Sequence, residues 1–261
     1  MDGNIADIID LETYDLNNEN FRQRCKTEYE KNGAISFEGF LKPAAIEAIR
    51  QEGLANQHLA YYTANNHNIY ISSPDPAFPD QHIRNRTVVS SKGCITTDQV
   101  PANSYLHTLY NSQLFRSFLC SVLGVSSLHE YADPLSSINL HYASEGQQLG
   151  WHYDNSSFAI TLLIQKPIGG GVFEYVKDVR NADKGDMNFD LSEKIVEGTF
   201  KPSTMDATEG SLVFFKGRNS IHRVTPTEGD RTRMLVVLAY NTEPNISLSE
   251  SARMTFYGRL G

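Results

Sequence analysis

The sequence predicts a mainly β fold with flanking helices, on three observations. Short apolar, β-branched or aromatic runs recur between turn signals from residue 138 onward, at 138–142, 158–165, 171–176, 212–215 and 234–240. No helical pattern separates these runs, as expected of an antiparallel β-sandwich or barrel. The length, 261 residues, suits one sizeable core, because all-β folds of this size form single domains. One domain over residues 1–261 is therefore expected, with residues 1–135 as a helical and loop support and lid region and residues 136–261 as the β core.

The elements follow in chain order. Residues 20–32 are polar and helix-compatible, Gly33 supplies the stop, and residues 34–37 alternate like a short strand. A second helix opens at Lys42-Pro43, with Pro at an early helical position, and runs to about Gly53. Residues 61–101 turn irregular, with Asn65, Asn66 and Asn68, prolines at 74, 76 and 79, and a basic pair at Arg84 and Arg86; they read as a long functional loop or lid. Apolar residues at Leu106, Leu109, Tyr110, Leu114, Phe118 and Val122 mark one or two amphipathic helices before Gly124. The polar insert 177–208 between two of the β runs reads as mobile.

Composition narrows the function classes. With 40% hydrophobic and 21% charged residues the chain is an ordinary globular protein, neither disordered nor fibrous. A net charge of -8 opposes phosphate backbones and anionic lipid, so a small-molecule substrate is expected, with no nucleic acid and no membrane partner. Cys25, Cys94 and Cys120 lie far apart and form neither a disulfide framework nor a zinc knuckle. The amino terminus is acidic, without a basic region ahead of an apolar stretch, and no apolar run approaches the roughly 18 residues of a membrane span. A cytoplasmic protein is expected.

His152 and Asp154 are one residue apart. On an extended strand both side chains share a face, roughly 6.5 Å apart along the chain, which suits two ligands of one ion. Alone that pair is weak, since a satisfied His near a surface Asp is common. It strengthens at the apolar strand 210–217, which is followed at once by His222. Two imidazoles and one carboxylate from two β segments form the facial set that binds non-haem Fe(II) and leaves positions open. Arg233 heads the last apolar run, where an unpaired charge is costly unless a carboxylate meets it. A diacid cosubstrate supplies one, its far end gripped by the guanidinium and its oxo-acid end chelating the metal. Arg231, preceded by Glu228-Gly229-Asp230, is the nearby contrast, read as a loop residue.

Five ordered segments carry a resemblance: Asn139 to Tyr142, Gly150 to Asn155, Gly169 to Tyr175, Gly210 to Gly217 and His222 to Arg233. Together they resemble the iron- and 2-oxoglutarate-dependent dioxygenase superfamily. The resemblance implies a double-stranded β-helix (jelly-roll) core with N-terminal helices, Fe(II), 2-oxoglutarate and O2 as reactants, and succinate and carbon dioxide as coproducts. Ala132-Asp133-Pro134-Leu135, the Trp151-His152-Tyr153-Asp154-Asn155 segment and the tail Ala252 to Arg259 are similar to the branch of radical halogenases of free lysine and their hydroxylating relatives. In the halogenases Gly replaces the carboxylate ligand and opens a site for chloride. With Asp154 in place, hydroxylation is expected.

Other contacts rest on geometry. Tyr142 and Asn139 are rivals for the cosubstrate, because they lie on opposite strand faces. Thr161 interrupts an apolar run and is a third candidate beside its plain β propensity. For substrate the candidates are Asn155, Trp151, Asn241, Arg84 and Arg86. Asn241 shares strand parity with Arg233, and the arginines could clamp a carboxylate. Trp151 walls the pocket or fills the core. A free amino acid or similar small polar metabolite, lysine among them, is the first expectation. A peptidyl side chain, as in the related prolyl hydroxylases, is the second. A zinc hydrolase has the same ligands but leaves Arg233 without a role and shows no HExxH helix. A non-catalytic jelly-roll module would be expected to have lost a ligand.

Overall fold

The computed structural model describes residues 4–261; the first three residues of the acidic amino terminus lie outside them. Helices α1 (Ile5–Ile8), α2 (Glu19–Asn32), α3 (Pro43–Asn56), α4 (Tyr105–Asn111) and α5 (Gln113–Leu123) precede most of the strands, α6 (Phe189–Val196) interrupts them and α7 (Glu250–Tyr257) closes the chain. The strands are β1 (Ala34–Phe37), β2 (Tyr61–Asn68), β3 (Thr87–Ile95), β4 (Ile138–Ala143), β5 (Leu149–His152), β6 (Ala159–Gln165), β7 (Gly169–Gly170), β8 (Phe173–Val176), β9 (Ser203–Met205), β10 (Leu212–Phe215), β11 (Ile221–Val224), β12 (Thr227–Glu228) and β13 (Arg233–Leu238).

Local signals explain most boundaries. Asn18 caps α2 by accepting from the Phe21 amide, and Gly33 ends it with φ at +71°. Pro43 opens α3. The single residue Ser112 separates α4 from α5, ending the first and capping the second through its hydroxyl.

Seven strands make the larger sheet, in the order β1-β10-β6-β13-β4-β3-β2; β5-β11-β8-β9 make a second sheet and β12-β7 a ribbon. All pairings are antiparallel. Alternate residues of the larger sheet, among them Leu140, Tyr142, Leu162, Phe214 and Val236, join Tyr29, Ile49, Leu109 and Phe118 of the helices in the main core. A fully buried side chain such as Phe118 stabilises by about 2 kcal/mol through burial alone. The opposite face turns toward the second sheet: the Phe215 ring lies 5.0 Å from Phe173 and 5.5 Å from Tyr175. The two stacked antiparallel layers are a jelly-roll, and the site lies between them.

Two sequence expectations need correction. Residues 61–101 are not a continuous loop. β2 and β3 form a long hairpin that extends the larger sheet, and only the stretch between them is irregular. β2 reads as a loop because its residues, Tyr-Tyr-Thr-Ala-Asn-Asn-His-Asn, are polar; an edge strand with a cavity on one face and solvent on the other has no apolar side to advertise it. β1, β2 and β3 thus join the sheet from within residues 1–135. The insert 177–208 is also structured, with α6 and β9, and Val179 and Ile195 belong to a second core cluster with Trp151 and Tyr153. No helix among the described residues is long and apolar enough to cross a membrane.

Candidate metal centre and its flanking cavity

The pairing of β11 with β5 sets His222 directly opposite His152. Cross-strand partners project to the same face, so this register brings two imidazoles together, their ring centres 4.2 Å apart. Asp154 lies just past the end of β5, held by its amide donating to the Gly217 carbonyl at 3.1 Å. Its Oδ1 is 3.7 Å from His152 Nε2 and 3.5 Å from His222 Nε2, and the three ligand atoms all lie within 4.8 Å of one another.

Hydrogen bonds fix which nitrogen each ring offers. His152 Nδ1 donates to the Gly150 carbonyl at 2.7 Å and His222 Nδ1 to the Ser220 carbonyl at 3.1 Å. Both Nε2 lone pairs are left for an ion, as second-sphere carbonyls arrange in metal sites. Asp154 Oδ2 is buried without a hydrogen-bond partner. Such an atom is expensive unless a cation or donor meets it, so the donor set fits an Fe(II) ion. Burial first, then the adjacent His222, pushes His152 well below the ordinary imidazole range. For Asp154 burial acts upward, but the hydrogen-bonded His222 and then His152 outweigh it and hold the carboxyl below 3.8. His152 and Asp154 are therefore deprotonated and ready to ligate at neutral pH.

A glycine makes room for the carboxylate. A Cβ added at Gly217 would lie 1.7 Å from Asp154 Oδ2 and 2.5 Å from Cγ. The glycine in the turn after β10 thus has a steric duty. Phe215 and Phe173, with ring centres 4.8 and 5.6 Å from His222, form an apolar wall behind it.

His67 is a residue that sequence reading missed. Its ring centre lies 6.2 Å from that of His152. Its Nδ1 donates to the Asn68 carbonyl, so its Nε2 accepts from Ser90 Oγ at 2.6 Å, and Ser90 Oγ accepts from the Gly150 amide. The same Gly150 holds His152 through its carbonyl. Within the stretch read as a loop, nothing but the recovery of β2 could have exposed this chain.

Arg233 begins β13 and has no ion-pair or hydrogen-bond partner among the described residues, whereas Arg231 two positions earlier pairs with Glu209 at 2.8 Å. Burial alone pulls the Arg233 pKa down to about 10. Its stem packs where a Cβ at Gly171 would come within 3.0 Å of Arg233 Cδ, and Gly171 has φ at +59° besides. A free guanidinium in a shielded place is what a cosubstrate carboxylate requires.

The remaining candidates divide. Tyr142 is fully buried in the helix-side core and its hydroxyl donates to the Gly53 carbonyl at 2.7 Å, so it faces away from the metal ligands. Asn139 faces inward, but its amide donates to the Leu135 and Ile138 carbonyls and its Oδ1 accepts from Tyr257, which docks α7. Thr161 stands opposite Val237 and Val213, with its neighbours Ile160 and Leu162 in the helix-side core. Trp151 is 4% exposed in the second core cluster, with Arg223 stacked on it at 4.8 Å; it fills the core and does not wall the cavity. Arg86 is held by Glu193 of α6 and by Glu197 just past its end, and Arg84 lies over the Tyr70 ring. Asn155 is exposed, and Asn241 pairs through its backbone with His129. A cavity of about 430 Å³ adjoins His152 and is lined by, among others, Tyr61, Asn65, His67, Lys92 and Phe256.

The sequence model of the Halogenase D family matches residues 17–255. The chain belongs to this family. No curated protein matches it. Among solved structures it is similar to an oxidoreductase of the 2OG-Fe(II) oxygenase family from Burkholderia pseudomallei, at 12% identity over 88% of this chain and 95% of that one, TM-score 0.53. It is also similar to two non-haem α-ketoglutarate-dependent proteins of nogalamycin biosynthesis. The epimerase SnoN is 9% identical over 86% of this chain and 83% of its own, TM-score 0.56. The carbocyclase SnoK is 10% identical over 84% and 83%, TM-score 0.55. At such identities the likeness is one of fold. By family the chain is a Halogenase D member, and its fold is similar to that of these Fe(II)- and α-ketoglutarate-dependent proteins.

Proposed function

We propose that this chain hydroxylates an unactivated C–H bond of a small polar substrate, a free amino acid or similar metabolite. The observation that carries the reading is the buried Asp154 carboxylate, unpartnered at Oδ2 and set against two Nε2 atoms. His152, Asp154 and His222 would hold Fe(II), and Arg233 would bind the far carboxylate of 2-oxoglutarate. When bound, iron, 2-oxoglutarate and O2 supply the oxidising power that removes hydrogen from carbon and returns hydroxyl. The chain's own part is to fix the ligands through Gly150 and Ser220, to orient the cosubstrate, and to exclude water on the side of Phe173 and Phe215. Asp154 supports hydroxylation over halogenation, because its carboxylate fills the position that Gly leaves open for chloride in the halogenases this sequence resembles. A cavity of about 430 Å³ beside His152 supports a small substrate.

The test is spectroscopic and needs no substrate. Anaerobic protein with Fe(II) and 2-oxoglutarate should show the weak visible charge-transfer band of a chelated oxo acid, and Asp154→Ala or His222→Ala should abolish it. Turnover supported by zinc, with 2-oxoglutarate neither bound nor consumed, would end the proposal. A succinate-release screen over amino acids then identifies the substrate.

A further inference from the structure

Strand alternation turns Ser90, Lys92 and Cys94 of β3 inward, beside Tyr61, Thr63 and Asn65 of β2. Lys92 borders both the cavity of about 430 Å³ next to His152 and a second of about 190 Å³ under α7. Among the described residues it has no carboxylate partner. Its one side-chain hydrogen-bond partner among the described residues is His141, with Nζ 3.1 Å from Nδ1 and 3.0 Å from Nε2. A neutral imidazole has one lone pair to offer, and burial together with Lys92 and Arg233 keeps His141 neutral. At least two of the three N–H bonds of Lys92 therefore lack an acceptor. Neither cavity is lined by an Asp or a Glu; Asp154, whose charge reaches Lys92, is one of the three candidate metal ligands.

We propose that Lys92 seats a carboxylate of the substrate, and that the side chain of this substrate is uncharged and runs past Tyr61, Leu149 and Phe256 toward His152. The inference rests on the oxygenase reading above and names the substrate class for the same site. A lone ammonium neutralises a monoanion, whereas a phosphate dianion would leave a charge unmatched in a shielded place. A basic side chain such as that of lysine would meet another cation and no acid, at a cost that specificity by like charge exploits. The lysine expectation from the sequence therefore gives way to a free acid with a neutral side chain.

The experiment uses hexanoate, hexanamide and hexylamine as probes on full-length protein loaded with Fe(II) and saturating 2-oxoglutarate under anaerobic conditions. The charge-transfer band is recorded first, in wild type and in Lys92→Met. Its absence in wild type counts against the oxygenase reading, while the melting comparison still reads the cavity's charge preference. Hexanoate should raise the melting temperature of wild type more than the amide or the amine. Its apparent affinity should fall at least tenfold in Lys92→Met, and Lys92→Glu should prefer hexylamine. Equal effects of hexanoate and hexanamide, or undiminished hexanoate binding by Lys92→Met, would overturn the proposal.

Discussion

Replacing Arg233 by Met separates two consequences of one buried charge. Burial lowers the guanidinium from 12.5 to about 10, with no opposing carboxylate. At about 1.4 kcal/mol per tenfold change, that fall corresponds to on the order of 3 kcal/mol of folding stability lost to desolvation. Arg233→Met removes the charge but keeps an unbranched stem beside Gly171. The ligand-free variant should therefore resist urea better than wild type, by up to about 3 kcal/mol, read from the unfolding midpoint at constant slope. Binding of 2-oxoglutarate should move the opposite way. Loss of a charge-assisted, shielded pair worth about 3 kcal/mol weakens the cosubstrate roughly 100-fold, measured by titrating the charge-transfer band. An Arg233→Met protein that is less stable than wild type and still binds 2-oxoglutarate as tightly would refute both halves of the argument.

Three further outcomes are expected. Gly217→Ala should weaken metal binding at least tenfold, because the new Cβ would fall 1.7 Å from Asp154 Oδ2; Mn(II) titration by electron paramagnetic resonance reads this, and unchanged affinity would show that the carboxylate has room to move. Stability should fall on acidification of the metal-free protein from pH 6.5 toward 5. His141 and His152 are both held below the free-imidazole value of 6.5, chiefly by burial, so the unfolded chain takes up protons that the folded chain refuses. Their contribution is present above 6.5 and is lost as pH falls, by up to about 2.7 kcal/mol per pH unit for two groups, and His141→Gln should roughly halve the slope of urea midpoint against pH. Asp154, lowered from 3.8, acts with the same sign at still lower pH. Finally, Tyr257→Phe should cost about 1 kcal/mol by leaving Asn139 Oδ1 without its donor, which calorimetry can detect.

The fold was legible where periodicity reports burial on one face. α3, the α4–α5 pair and strands β4, β6, β10 and β13 bury one side against the main core, so their apolar spacing survives in the sequence. β2 and β9 were not legible for the opposite reason. Their side chains meet cavity, solvent or one another, and a hydrogen-bonded edge needs no apolar pattern. The 177–208 insert reads as mobile in the sequence because its two anchors, Val179 and Ile195, are isolated among polar residues, and only the folded chain brings them onto Trp151 and Tyr153.

The same logic divides the site residues. His152, Asp154 and His222 could be read as a set because a metal needs particular atoms from particular residue types, and Arg233 because a charge at the head of a core strand needs a partner. Tyr142 and Asn139 could be ranked only once strand pairing fixed which face of β4 the helices cover, since parity sorts residues into two sets without saying which is inside. Lys92 was invisible for a related reason: in Ser-Ser-Lys-Gly-Cys it looks like any solvated lysine, and its significance comes from what surrounds it. A cation that costs stability persists in a fold when a ligand relieves the cost, and in this cavity the missing partner is an acid that the chain does not supply. The unpaired amine and the unpaired guanidinium thus imply two different carboxylates, one at Arg233 from the cosubstrate and one at Lys92 from the substrate.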